Sequence, residues 1–232
     1  MKISINTLCW DNVNPTILEM QKKVMNHFDI PVEYTLNNIH HGAWIDQVLT
    51  TKDADIFVFF DSDCIPLSRE AFDESLKYCI NGYLVGNVQV TNCIKAKHDF
   101  FCGPSFLMIS KPYYKRIGKP SAVGNIRSDV AQELTRSAVD NELRLKMNFP
   151  KTFQGVPTGG IWRLSGYGYY GVGTVYDDKY YHLWQSRFKQ NVDLFKDTCE
   201  CVLRGDLASI KKTYDCRSEY ASVLPIEDDH GY

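Results

Sequence analysis

Apolar residues follow two different periodicities over the first 90 residues of the chain. Short apolar runs predict four strands, at residues 2–9, 31–36, 56–60 and 83–90. Between these runs, apolar residues recur every three or four positions, which predicts helices at residues 14–28 and 41–51 and from residue 68 onward. This β-α-β-α-β-α-β order is typical of a mostly parallel sheet with helices on both faces, in three α/β/α layers.

Local signals support these boundaries. Asn14 is a good N-cap and is followed by Pro15 at the first helical position, while Ser68 can cap the third helix. The run Ile56-Phe57-Val58-Phe59-Phe60 is apolar at every position, which suits a central strand that is covered on both faces.

The second half of the chain is less regular. It predicts a buried strand at 105–109, helices at 128–147 and 186–213, a glycine- and tyrosine-rich hairpin or mobile loop at 158–173, and a polar tail over the last dozen residues. No internal repeat and no linker is visible, so we expect a single domain spanning residues 1–232.

The strongest chemical signal is Asp61-Ser62-Asp63, which directly follows the apolar run at 56–60. Ligands of open α/β sheets bind outside the carboxyl ends of the strands. Two carboxylates at that position suit Mg²⁺ or Mn²⁺, which can bridge the phosphates of a nucleotide. The structural alternative is a strand that ends in a turn, because aspartate and serine both favour turns.

Composition narrows the function classes. The net charge of −2 and the pI of about 6.3 argue against a broad basic surface for nucleic acid. No apolar segment is long enough to span a membrane, and the first residues lack the apolar core of a secretory signal. The eight cysteines include no C-x-x-C pair. We therefore expect a reduced, cytoplasmic protein, and nothing in the sequence indicates an obligate protein partner.

Three segments together resemble the glycosyltransferases of the GT-A fold. Residues 55–66 (DIFVFFDSDCIP) resemble the D-x-D region of these enzymes, and His40 to Asp46 (HHGAWID) resembles the histidine-glycine element that precedes it. Tyr181-His182-Leu183-Trp184 resembles their C-terminal histidine motif. The three segments occur in the family's order. The resemblance implies a Rossmann-type sheet, with a nucleotide-sugar half at about 1–92, an acceptor half at about 93–190 and a C-terminal helix and tail at about 191–232.

The resemblance also implies residue roles. Asp63 would bind Mn²⁺ or Mg²⁺ directly, Asp61 would contact the metal or the donor ribose, and His182 would complete the coordination. Thr7, His41 and Asp46 would lie on the side of the nucleoside-diphosphate sugar. The acceptor stays open among glycans, lipids, proteins and modified nucleic-acid bases. His182 also has a structural interpretation as part of an aromatic cluster, and His41 as a solvated residue at a helix start.

An inverting enzyme of this type needs a carboxylate that takes a proton from the acceptor hydroxyl. Asp129 occupies the position at which family members often carry this base, with Glu133 one turn further as the second candidate. The structural alternative is that Ser128 or Asp129 caps a helix, with Gln132 completing a capping box.

Two other functions compete with the transferase. A haloacid-dehalogenase-like phosphohydrolase also places D-x-D after an apolar strand, with the first aspartate as nucleophile, although normally at the first strand. A non-catalytic nucleotide-sugar-binding module would keep the donor pocket without transferring a sugar. The sequence also contains Gly166-Tyr-Gly168-Tyr-Tyr-Gly171, which formally matches the G-x-G-x-x-G fingerprint of dinucleotide-binding proteins. The motif does not lie between a clear strand and a clear helix, as that fingerprint requires.

Overall fold

The computed structural model describes residues 1–91, 100–155, 160–210 and 213–217. The chain divides into two compact units. The first unit consists of Met1–Asp11, Ile30–Ser62 and Phe72–Asn148, and the second of Asn12–Asp29, Asp63–Ala71 and the chain from Phe149 onward. The predicted polar tail lies outside the described residues.

The elements follow one another in this order: β1 (Ile3–Cys9), α1 (Pro15–His27), β2 (Glu33–Leu36), α2 (His41–Thr51), β3 (Ile56–Asp61), β4 (Cys64–Pro66), α3 (Arg69–Ile80), β5 (Tyr83–Val90), β6 (Phe100–Ser110), α4 (Lys111–Arg116), α5 (Gln132–Asp140), β7 (Arg144–Asn148), β8 (Pro150–Gln154), β9 (Ile161–Leu164), β10 (Gly168–Gly171), β11 (Gly173–Tyr176), β12 (Tyr180–Leu183), α6 (Lys189–Leu203) and β13 (Thr213–Asp215).

The first unit is built on a six-stranded sheet with the order β2-β1-β3-β6-β5-β7. The pairs β2–β1, β1–β3 and β5–β7 are parallel, while β6 runs antiparallel to both of its neighbours. The predicted fold class, a mixed α/β protein with a mainly parallel central sheet, is thereby confirmed. The antiparallel β6 contains the buried strand predicted at 105–109, for which the sequence predicts no direction.

The apolar run of β3 lies at the centre of this sheet. Every residue from Ile56 to Phe60 is buried, as the prediction of a strand covered on both faces requires. Phe57 and Phe59 belong to a core cluster with residues of the flanking strands and of α2, α4 and α5, including Trp44, Leu107 and Leu134.

The second unit is largely antiparallel. Its five-stranded sheet has the order β13-β8-β11-β12-β4, and β9 and β10 form a separate hairpin, as predicted for the glycine- and tyrosine-rich segment. Helices α1 and α6 pack together in this unit, and their buried residues share a core cluster with Ile65, Tyr181 and Leu183. Asn14 caps α1 as predicted, because its side-chain oxygen accepts a hydrogen bond from the N–H of Thr16 at 2.9 Å.

The helix predicted over 128–147 is wrong at both ends. α5 begins only at Gln132, because Ala131 adopts a left-handed conformation (φ 63°) that a continuous helix does not allow. After Asp140 the chain forms β7, in which Leu145 and Met147 pack against the core at the two-residue spacing of a strand. The helix-like spacing at 130–138 does not continue past that point.

The helix predicted over 186–213 is too long. α6 covers only 189–203 and ends in a Schellman motif, in which the N–H groups of Gly205 and Asp206 donate to the carbonyls of Val202 and Cys201. Gly205 adopts the positive φ of 69° that this ending favours. A short turn and β13 follow.

The cysteines of the described residues are free and buried. Burial raises the pKa of the Cys79 and Cys102 thiols to about 12, so both stay protonated at neutral pH. They act as small apolar side chains in the core. Cys93 lies outside the described residues. Across the described ranges, no helix has both the length and the apolar character needed to cross a bilayer.

We predict that β3 carries much of the stability of the first unit. Phe57→Ala removes a fully buried ring and should lower the free energy of unfolding by about 3–5 kcal/mol, measured by urea denaturation. Phe188→Ala is the matched control, because that side chain is 55% exposed. A loss below about 1 kcal/mol for Phe57→Ala would contradict this packing.

Candidate functional site

In the first unit, Asp61 ends β3 at the carboxyl edge of the parallel strands. The register pairs Leu8 with Asp61, so the chain leaving β1 lies beside this carboxylate. His41, the first residue of α2, approaches it with Nε2 at 3.6 Å from Oδ1 of Asp61. Both side chains are partly buried, at 17% exposure for His41 and 28% for Asp61. The predicted histidine-glycine element therefore contacts the D-x-D segment through His41 and Asp61.

The residues after His41 pack α2 against residues 121 and 122. A Cβ on Gly42 would lie 2.4 Å from the carbonyl oxygen of Ala122, so only glycine allows this approach. Asp46 accepts hydrogen bonds from the Ser121 hydroxyl at 2.5 Å and from the Ala122 N–H at 2.7 Å. Asp46, which was predicted to lie on the donor side, thus links α2 to the segment that follows α4.

Sequence reasoning missed Trp10. It follows β1 directly, is 36% exposed, and lies edge-on to His41 with ring centroids 6.3 Å apart. Its indole N–H donates to the Ile39 carbonyl at 2.9 Å, which fixes the ring at this edge of the sheet. An exposed tryptophan immediately after a predicted parallel strand was the available signal.

In the second unit, the carboxylate of Asp63 faces the imidazole of His182, with Oδ1 and Nε2 3.4 Å apart. The backbone produces this pairing. β4 and β12 are antiparallel neighbours with His182 opposite Cys64, and the N–H of Leu183 donates to the carbonyl of Asp63 at 2.9 Å. His182 is 4% exposed and also contacts the Trp184 ring at 4.5 Å between centroids. His182 therefore contacts both an acid and an aromatic ring, so the two alternatives that the sequence offered for this residue are not exclusive.

Asp61, Asp63 and His182 each offer one ligand atom of the kind that binds divalent metals. The two aspartates are partly buried, the histidine is buried, and only Ser62 separates the aspartates in the chain. Carboxylate oxygens with one imidazole nitrogen fit Mn²⁺ well, and Mg²⁺ through the oxygens. The donor chemistry of these three residues thus matches the predicted metal.

The other predicted residues lie elsewhere in the first unit. Thr7 is fully buried in β1, and its hydroxyl makes no hydrogen bond within the described part of the chain. Asp129 precedes α5 and accepts a hydrogen bond from the Val130 N–H at 2.7 Å, while its own N–H donates to Gln132 at 2.8 Å. Glu133 forms an ion pair with Arg136 at 3.3 Å. Ser128 and Asp129 do not occupy the N-cap position of α5, which is Ala131.

No protein-family model matches the sequence, and no curated protein matches it. Similar solved structures include the mannosyltransferase PcManGT from Pyrobaculum calidifontis in complex with GDP-Man and Mn²⁺, at 11% identity and TM-score 0.46 over 63% of this chain and 54% of that one. The catalytic domain of Drosophila beta1,4galactosyltransferase 7, in complex with xylobiose, matches at 15% identity and TM-score 0.44, over 63% and 64% of the two chains. TarS 1–349 of S. aureus matches at 11% identity and TM-score 0.46, over 89% and 71%.

The chain thus spans about half of the matched mannosyltransferase chain, and just under two thirds of the galactosyltransferase chain. All three likenesses combine low identity with low TM-scores. The ligands bound by those proteins are therefore not assigned to this chain by the comparison.

The contacts of Asp46 lead to a prediction. Asp46→Ala should lower the free energy of unfolding by about 1–3 kcal/mol, because it leaves the buried N–H of Ala122 without an acceptor. The affinity for a nucleoside diphosphate should not change, as measured by calorimetry. Asp53→Ala, at a side chain that is 88% exposed, is the control. A variant of full stability that no longer binds nucleotide would instead assign Asp46 to the donor.

Proposed function

We propose that this chain is a metal-dependent glycosyltransferase that moves a sugar from a nucleoside-diphosphate sugar to an acceptor hydroxyl. The observation that carries the proposal is the approach of Asp63 to His182 at 3.4 Å. These residues come from two segments far apart in the sequence, and each resembles a metal-binding motif of GT-A glycosyltransferases. A simple turn after β3 would account for Asp63, but not for the imidazole that faces it.

Asp61, Asp63 and His182 would hold the metal in this proposal, with Mn²⁺ or Mg²⁺ as the ion. When bound, such an ion compensates the charge of the donor diphosphate and of the departing nucleotide. His182 contributes a buried nitrogen whose ring position is fixed by β12 and by Trp184. His41 contacts the carboxylate of Asp61, with Nε2 at 3.6 Å from Oδ1.

The donor nucleoside would lie at the carboxyl edge of β1 and β3, where ligands of open α/β sheets bind. Trp10 presents a half-exposed ring at this edge, and a base can stack on such a ring. His41, edge-on to that ring, would contact the nucleotide as well as Asp61. Thr7 is buried below the same edge and would support the site without reaching the ligand.

Asp129 would take the proton from the acceptor hydroxyl. Its Oδ1 accepts the N–H of the next residue, which orients the carboxylate. Glu133 is the weaker candidate because its carboxylate is already engaged in an ion pair with Arg136 at 3.3 Å.

We predict that UDP or GDP stabilises the protein only together with a divalent metal. At a ligand concentration of about 100 times the dissociation constant, the free energy of unfolding should rise by about 2.7 kcal/mol with Mn²⁺ present. The same titration in EDTA should give no shift, measured by differential scanning fluorimetry. Equal stabilisation in EDTA contradicts the metal-bridged donor. Release of phosphate from simple phosphate esters, with fluoroberyllate trapped on Asp61, would point to the phosphohydrolase instead.

A second prediction tests the base. Asp129→Asn should leave donor and metal binding unchanged and reduce sugar transfer by about 10²–10⁴-fold, because an amide cannot accept the proton. Glu133→Gln is the comparison and should reduce transfer much less. Since the acceptor is unknown, slow hydrolysis of the donor by water is the first readout. Parental rates for Asp129→Asn would exclude it as the base, and a large loss in Glu133→Gln would reassign that role.

A further inference from the structure

An open cavity of about 520 Å³ lies where Arg217 approaches the hairpin β9–β10, within the second unit. Arg163, Tyr167, Tyr169 and Arg217 line it, together with the turn of the hairpin. Its volume is within the range of pockets that hold small ligands. None of these residues belongs to the candidate metal site, and the proposed transferase does not use them.

The position of the basic groups follows from the backbone. Arg163 and Tyr169 are cross-strand partners in the antiparallel hairpin, so their side chains project from the same face. The N–H of Tyr169 donates to the carbonyl of Cys216 at 2.9 Å, which brings the following residue, Arg217, alongside the hairpin. The guanidinium of Arg217 then lies over the ring of Tyr167, 4.5 Å from its centroid.

Glycine makes this approach possible. A Cβ on Gly168 would lie 2.2 Å from the carbonyl oxygen of Cys216, and Gly168 has a φ of 153°. Gly166 has open space where its Cβ would be, and it lines the cavity. Among the three glycines of the fingerprint-like motif, Gly168 is therefore the one that allows residues 216 and 217 to lie against the hairpin.

Within the described ranges, no carboxylate lies at ion-pair distance from the guanidinium of Arg163 or of Arg217. Asp215, two residues before Arg217, accepts the main-chain N–H of Arg217 at 2.7 Å. The cation–π contact holds Arg217 over Tyr167, whose ring in turn packs at a tilt against Phe149, with centroids 4.7 Å apart. A positioned guanidinium loses less entropy when it binds a phosphate or carboxylate.

We propose that this cavity binds the phosphate or carboxylate group of a ring-bearing small molecule. Arg163 and Arg217 donate to the anionic group, and the tyrosine rings of the cavity contact the body of the ligand. The site shares no residue with the proposed donor site and needs no metal ion. Binding of an anion at this cavity does not depend on the proposed glycosyltransferase activity.

The test is calorimetric titration of the full chain in EDTA with glucose 6-phosphate, glucuronate and neutral glucose. EDTA removes divalent ions, so the result does not depend on the candidate metal site. We expect one or both anionic probes to bind at least about tenfold more tightly than glucose, since a charge-assisted hydrogen bond contributes enough for that ratio. Added salt should weaken the binding, because the cavity is open to solvent. Comparing glucose 6-phosphate with glucuronate separates phosphate from carboxylate ligands.

Variants then assign the binding to the cavity. Replacing both arginines (Arg163→Gln with Arg217→Gln) should weaken binding of the anionic probe at least about tenfold, while Arg163→Lys, which keeps the charge, should retain part of it. Arg187→Gln changes another exposed arginine of the same unit and should have no effect. Circular dichroism checks that each variant is folded. The proposal is overturned if neither anion binds the parental chain, if glucose binds equally well, or if the folded double variant binds like the parent.

Discussion

The candidate site depends on the antiparallel pairing of β4 with β12. β4 has only three residues, yet it connects the D-x-D segment to a strand that lies more than a hundred residues later in the chain. The hydrogen bond from the Leu183 N–H to the Asp63 carbonyl fixes the register, and this register turns the carboxylate of Asp63 toward the imidazole of His182. A shift by one residue would turn the side chains of β12 to the opposite face and separate the two groups.

The pair of Asp63 and His182 offers the ligand groups of a divalent-cation site. His182 is almost wholly buried, and a buried carboxylate–imidazole pair loses much of its hydration. A divalent ion bound by both residues would offset that cost, and Asp61, two residues before Asp63 in the sequence, would offer a second carboxylate. Asp61 in turn faces His41, so each aspartate of the D-x-D segment has an imidazole within 3.6 Å.

Much of the structure of the first 90 residues was predictable because the signals there are local. The apolar run of β3, the cap at Asn14 and the strand at 83–90 each follow from a few neighbouring residues, and the structure contains all of them. The errors occurred where tertiary contacts or backbone conformation decide the outcome. Ala131 in a left-handed conformation delays the start of α5, and the pairing of β7 with β5 draws residues 144–148 into the sheet.

The site shows the same division. Its acids were visible as a motif after a buried strand, and His182 as a motif between aromatic residues. The role of Asp46 was not visible, because Ser121 and Ala122 reach it from another segment. The cavity at the β9–β10 hairpin was not visible either, because Arg217 comes to it through the close approach of Cys216 to Gly168. Distant contacts of this kind leave no local pattern in a single sequence.

The most direct test of the central claim is Mn²⁺ binding by the protein alone, followed by electron paramagnetic resonance or calorimetry. Asp63→Ala should abolish specific binding, and His182→Ala should weaken it while the aspartates retain some affinity. His27→Ala and Asp53→Ala, at exposed side chains, should bind like the parental chain. If Asp63→Ala and His182→Ala remain folded and bind Mn²⁺ with parental affinity, the contact between the two residues is structural and the metal site is not there.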